Sequence, residues 1–390
     1  MQYPGWKKVC RLLIVAGLLI FFIWRLIRPM NIFVVSDEFA RPMVMAVPSG
    51  LKSLKAEECG ACHSEIYMEW QTSMHAKAWT DPYYQVDFAF DGSQQICLNC
   101  HIPLQNQQKN LVLGFRDSER FKPILKPNPE FDAELQQEGV TCAVCHVRNG
   151  VIIGPYGDTN APHPTSYDPV MNGMGTCRKC HVVSGKRWDT FYRVPPCGTV
   201  AEIEEGGLDN EIDCVNCHMP SINRPLAEDA VSRQGHMHLW RGGHSQETVR
   251  SALKVGFTMT TNREGDKRVT VTLVNIGADH YLPTGTPDRH LTLEFRLKDA
   301  KGNPLRTKNY LLKRHILWRP FIVDLWDTRL ARDKPRSFSF PVKPDDFPLS
   351  AELEVIVKYH LLDEARRKKI AYNNQEPISY LLYQHTELLK

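Results

Sequence analysis

The chain has 390 residues, 42% of them hydrophobic and 9% aromatic, and a formal net charge of +4. That composition is ordinary for folded material, holds no low-complexity tract or charge block of the kind that keeps a chain disordered, and implies no nucleic-acid partner. The length allows two folded domains beyond a terminal targeting segment.

At the N-terminus Lys7, Lys8 and Arg11 precede an uncharged run from Leu12 to Trp24, the charged and apolar regions of a secretory address. The run has 13 residues, fewer than the roughly 20 that span a bilayer. Arg25 and Arg28 can snorkel, and Leu26, Ile27 and residues 32–35 add apolar length. The best small-x-small cleavage candidate, Val44-Met45-Ala46, lies well downstream, and Cys10 precedes the run, so it is no lipid-attachment site. Residues 1–35 are therefore expected to form an uncleaved signal-anchor, a single N-terminal transmembrane helix. Residues 36–58, with Pro42, Pro48 and Gly50, are expected to be a linker.

Five copies of Cys-x-x-Cys-His follow: Cys59-Gly-Ala-Cys62-His63, Cys97-Leu-Asn-Cys100-His101, Cys142-Ala-Val-Cys145-His146, Cys177-Arg-Lys-Cys180-His181 and Cys214-Val-Asn-Cys217-His218. This is the attachment pattern of haem c: two thiols bond the porphyrin, and the next residue gives iron its proximal imidazole. Zinc takes such cysteine pairs two at a time, which leaves one of five unmatched and the His unexplained. A disulfide scaffold has no reason to repeat the spacing or to add His. Five covalently bound haems c are expected, with His63, His101, His146, His181 and His218 on the irons. Attachment takes place outside the cytoplasmic membrane, so the expected location is the cytoplasmic (inner) membrane, single-pass, with the bulk in the periplasm. The first cysteines stand 38, 45, 35 and 37 residues apart, too little polypeptide per cofactor to build a side-chain core. Residues 59–249 thus read as a pentahaem cytochrome c domain packed around its porphyrins, with short helices and loops. One such helix is expected from Ile66 to Ala78, where Ile66, Trp70 and Met74 share a face.

From 250 the pattern changes to period 2: Val269, Val271 and Leu273; Leu291, Leu293, Phe295 and Leu297; Phe338, Phe340 and Val342; Leu353, Val355, Val357, Tyr359 and Leu361. Turn residues such as Gly302-Asn303-Pro304 separate the runs. Residues 250–390 are expected to be an all-β, Ig-like sandwich. It carries no cysteine, so it attaches no haem and reads as a cap or docking module.

Low-spin haems need a second axial ligand, most often His or Met. Trp70-Gln-Thr-Ser73-Met-His75-Ala76 resembles the Trp-x-x-Ser-x-His-Ala signature of the cytochrome c-554 family, part of a wider group that includes hydroxylamine oxidoreductase. His238-Leu-Trp-Arg-Gly-Gly-His244 is similar to that family's His-x-aromatic-x-Gly-Gly-His segment, and Cys217-His218-Met219-Pro220 to the ending of its last motif. Asn275-Ile-Gly-Ala-Asp-His280-Tyr-Leu-Pro283-Thr-Gly285 resembles a segment of β-domain-bearing relatives. The likeness spans roughly residues 51–290. The family's best-known members carry four haems, so no pairing of His with haem is carried over. The resemblance implies His75, His238 and His244 as distal ligands. His163, between Pro162 and Pro164 in a long loop, is placed as such ligands are, and His280, in a Gly/Pro-rich loop between strands, could reach a haem from the β-domain. His236 rivals His238, and Met171 and Met174 are weaker candidates. His290, His315, His360 and His385 are expected to be structural or exposed. Cys197 reads as a buried free thiol.

The expected function is electron transfer between a membrane, quinone-linked donor of a respiratory chain and a periplasmic redox partner, with docking through the β-domain. The alternative is a haem-based oxidoreductase acting on small nitrogen or sulfur compounds at a five-coordinate haem. Against it stand five distal candidates for five irons and the lack of a Cys-x-x-Cys-Lys motif.

Overall fold

The computed structural model describes residues 5–27, 33–35, 37–118, 120–157, 159–181, 185–187, 198–205, 214–317, 323–346, 351–373 and 375–389. Cys197 and its neighbours Pro195 and Pro196 lie outside them.

Alternation of apolar and polar residues shapes the C-terminal half. The strand Lys267–Asn275 buries Val269, Val271 and Leu273 on one face and pairs antiparallel with Leu253–Thr261 and with Arg336–Val342. A second antiparallel sheet runs Pro304–Leu312, His290–Asp299, Ala351–His360, Ser379–Leu389. The inward faces meet in one core, where Phe295 stacks on Phe340 with ring centres 5.4 Å apart and Leu291, Leu293, Val355 and Val357 are fully buried. Each such side chain contributes about 1.5–3 kcal/mol on burial. Two facing antiparallel sheets make a sandwich.

Three of these strands go beyond the sequence reading. Leu253–Thr261 alternates through Leu253, Val255, Phe257 and Met259, with Gly256 on its exposed face. Pro304–Leu312 is an edge strand exposed on both faces over most of its length. In Ser379–Leu389 the alternation breaks at a register shift opposite Val357 and Lys358.

The haem-motif region is built otherwise. Its helices are short, and its apolar cluster is small: Leu54, Leu104, Leu135, Ala143, Val144 and Val147. The helices mostly coincide with the motifs: Gln95–His101, Cys142–His146, Arg178–His181 and Cys214–His218. One helical turn brings residues i, i+3 and i+4 to one side, which is what two thioethers and a ligand of one porphyrin require. The helix expected over 66–78 is Ser64–Gln71. It stops because side chains compete for backbone groups: Thr72 Oγ1 donates to Glu69 O at 2.7 Å, and buried Ser73 Oγ accepts the Ala76 N–H at 3.2 Å.

The single-pass membrane expectation is overturned. Trp6–Ile27 is one helix, but Lys7, Lys8 and Arg11 occupy its first turns. The 13 uncharged residues from Leu12 to Trp24 extend only about 20 Å at 1.5 Å per residue, against a hydrocarbon core of about 30 Å. Among the described residues no helix is long and apolar enough to cross a membrane.

Candidate haem-binding site

Four proximal imidazoles are held alike. Nδ1 donates to a backbone carbonyl from His63 (Leu226 O, 2.5 Å), His101 (Ala78 O, 2.7 Å), His146 (Ile153 O, 3.0 Å) and His218 (Arg241 O, 2.6 Å). A carbonyl can only accept, so the proton is on Nδ1 and the Nε2 lone pair is left for a metal. The same tautomer is fixed in His238, whose Nδ1 donates to His236 O at 2.9 Å, and in His280, whose Nδ1 donates to Tyr281 O at 2.8 Å.

Three proximal rings each face a second imidazole across nearly the same gap. Ring centres are 6.2 Å apart for His75 and His181, 6.1 Å for His146 and His238, and 6.4 Å for His218 and His280. A metal–imidazole nitrogen bond is about 2 Å, and the ring centre lies roughly 1 Å further, so one iron between two imidazoles sets the centres about 6 Å apart. The residues fit a haem iron at each of the three places. Burial lowers the pKa of His75, His146, His181, His238 and His280 and so favours the neutral ring that ligation demands. It pushes His75 down to about 3, with the charges of His181 and His218 adding to it, and His238 and His280 down to about 4.

His163 and His244 are not brought against a proximal ring among the described residues. His163 Nδ1 is nonetheless buried without a hydrogen-bond partner, an orphaned polar atom of the kind a bound group satisfies. His244 is lowered to about 4 by burial and then by Arg289 and Lys77; its Nε2 lies 3.4 Å from Arg289 Nη2. The ring stacked on His101 is Tyr84, with centres 3.6 Å apart. His236 Nδ1 donates to Met219 O at 2.7 Å, and its own carbonyl orients His238. His290 and His360 stack on each other at 4.3 Å on the face of their sheet turned away from the sandwich core, His385 sits on the strand Ser379–Leu389, and His315 is on a separate two-stranded sheet, Arg314–Leu317 with Val323–Asp327.

The attachment cysteines of different motifs touch. Cys59 and Cys142 are within hydrogen-bond reach of each other, as are Cys100 and Cys180, and Cys145 lies close enough to Cys180 to feel its charge.

Residues outside the motifs hold the facing imidazoles in place. Trp240 sits edge-on between two of them, 4.8 Å from His75 and 5.1 Å from His238. Arg224 grips Glu69 through both guanidinium nitrogens (2.6 and 2.8 Å), and Glu69 Oε2 accepts the His238 N–H at 2.8 Å. Burial opposes ionisation of Glu69, but Arg224 and that N–H outweigh it and hold the carboxyl below its ordinary value. Gly139, at φ +61°, lets the chain pass the His75 carbonyl; a Cβ there would be 2.6 Å from His75 O. Only Trp240 had a sequence signal, as the aromatic residue between His238 and His244. Glu69 and Arg224 are far apart in sequence and carry no local pattern.

Haem-attachment motifs on helical turns, with imidazoles facing across iron-sized gaps, define a multihaem c-type cytochrome. Residues 58–120 match the family model described as cytochrome c554 and c-prime. The fold is similar to the penta-heme cytochrome c552 from Thermochromatium tepidum, at 19% identity and a TM-score of 0.62, covering 86% of this chain and 98% of that one. A β-glucuronidase from Bacteroides uniformis is similar over 35% of this chain and 12% of its own, at 14% identity and a TM-score of 0.17, too low to add to the fold. No curated protein matches the chain. The chain is a multihaem c-type cytochrome with a C-terminal β-domain, and its cofactor is haem c.

Proposed function

We propose that each of the five motifs holds one haem c and that the chain is a periplasmic electron carrier between a quinone-linked donor and a periplasmic redox partner. His75 caps the iron of His181, His238 that of His146 and His280 that of His218. His163 and His244 complete the irons of His63 and His101. The haem-motif domain spans 59–249 and the β-domain 250–390, the latter offering a docking face. The observation that carries this reading is the contact between attachment cysteines of different motifs, Cys59 with Cys142 and Cys100 with Cys180. Contiguous haems pass electrons between partners that never meet, and the protein tunes each potential through ligand, burial and nearby charge. Stopped-flow reduction by a small donor tests it: all five haems should reduce together, with no slow, isolated fraction. A haem that stays oxidised while the others are reduced would contradict a single connected array.

A second reading is favoured by one place. Beside the second motif, where Tyr84 lies on His101, is a cavity of about 390 Å³ lined by Trp79, Phe88, Leu98 and Lys109 among others. If that iron is five-coordinate, the chain reduces or oxidises small nitrogen or sulfur compounds there. A high-spin ferric signal together with turnover of nitrite or hydroxylamine supports this reading over the carrier; a fully low-spin protein excludes it.

A further inference from the structure

The loop that presents His280 is held by two buried anchors. On its N-terminal side, fully buried Asn275 donates through Nδ2 to Ala278 O (2.9 Å) and His280 O (3.0 Å), and its Oδ1 accepts the Ala278 N–H at 2.9 Å. On its C-terminal side is an ion pair made by two different parts of the chain. Arg329, of the β-domain, donates through Nη1 to Glu202 Oε1 at 2.6 Å and to Pro283 O at 3.1 Å, while Nε and Nη2 grip Asp327. Glu202, in the helix Thr199–Glu205 of the haem-motif region, takes a hydrogen bond from Thr284 Oγ1 at 2.7 Å through its other oxygen. The guanidinium also lies over the Tyr281 ring, 4.7 Å from its centre.

Glu202 is 3% and Arg329 5% exposed. A buried ion pair is a poor device for stability, because desolvation consumes most of its attraction and apolar residues of like volume serve as well. What it offers here is geometry, since both partners also bond to loop residues 283 and 284. We propose that the Glu202–Arg329 pair is a positioning device that fixes His280 at the fifth haem, so that this iron is fully coordinated only when the β-domain is docked on the haem-motif region. The inference rests on the reading of His280 as the distal ligand opposite His218.

The test uses the full-length, haem-loaded protein and three variants. His280→Ala should add one high-spin ferric haem and one equivalent of carbon monoxide binding in the reduced state, relative to wild type. The double variant Glu202→Leu/Arg329→Met keeps the site filled and apolar; it should open the same haem while the melting and far-ultraviolet circular dichroism of the β-domain stay as in wild type. Thr284→Val removes one hydrogen bond to Glu202 and guards against misfolding of the double variant; it should raise the rate of carbon monoxide binding at that haem several-fold. If His280→Ala opens a haem and neither other variant does, the positioning role is overturned and the ligand survives. A silent His280→Ala overturns the ligand assignment and, with it, the role proposed for the pair.

Discussion

The two halves of the molecule fill their interiors with different material. The β-domain closes on itself: Val269, Leu273, Leu291, Leu293, Phe295, Phe340, Val355 and Val357 form one continuous apolar layer between two sheets. Among the described residues the haem-motif region has a small apolar cluster around Leu104, Leu135 and Val144, and beside it imidazoles paired across gaps of 6.1–6.4 Å. The first kind of core is complete in the polypeptide. The second is a mould for cofactors, so covalent attachment of haem should be coupled to folding there, as metal binding is in small metal-dependent domains.

The largest effect should come from emptying part of the mould. Cys142→Ser with Cys145→Ser removes the haem whose attachment residues touch those of the first and, through Cys145, lie near those of the fourth. Limited proteolysis should then degrade residues 59–249 and leave a resistant fragment beginning near 250. Equal resistance of both halves would erase the distinction.

Phe295→Ala attacks the other core. It leaves a cavity opposite Phe340 and should cost the β-domain about 3–5 kcal/mol, read by denaturant melting. The Soret spectra of the haems at His146 and His181 should not change, because the imidazoles facing them, His238 and His75, belong to the haem-motif region. Loss of those spectra would mean that the two cores are one cooperative unit.

A smaller, local effect is expected of Gly139→Ala. With φ +61° and a Cβ 2.6 Å from His75 O, the substitution should cost about 1–3 kcal/mol of strain and displace His75. A high-spin signal confined to one haem would report it, and an unchanged spectrum would show that His75 is held from elsewhere.

The smallest concerns pH. Burial, then the charge of His290, keeps His360 down at about 4, and burial also lowers His290. Below about 6.5 the unfolded chain takes up protons that these folded imidazoles refuse, so stability falls as pH drops from there toward 4. Asp288, pushed up to about 6 chiefly by burial, works the other way, its penalty being relieved as pH falls through 6. His290→Phe with His360→Phe should flatten the acid limb of the β-domain melting curve by about 2–4 °C. An unaltered limb would place the titration elsewhere.

What was legible in the sequence follows the same division. The motifs are contiguous, and a strand such as His290–Asp299 declares itself by alternation, because a sheet face is buried along its whole length. His75, His238 and His280 could be singled out from their segments. Their partners could not: pairing depends on how the chain wraps around porphyrins, and residues 75 and 181 or 218 and 280 meet only in three dimensions. The edge strand Pro304–Leu312 and the anchors Glu69, Arg224, Glu202 and Arg329 escaped for related reasons, the strand having no continuous buried face to alternate and the others acting across more than a hundred residues. The N-terminal helix was visible, but the shortness of its uncharged stretch was outweighed by flanking apolar residues in the reading.

Electron paramagnetic resonance of the fully oxidised protein, with spins quantified against haem content from a pyridine haemochrome assay, tests the paired-imidazole array most directly. The account predicts five haems per chain, with low-spin bis-imidazole signals from at least the three irons between His75 and His181, His146 and His238, and His218 and His280. Fewer than three low-spin haems, or haem content well below the number of motifs, would contradict it.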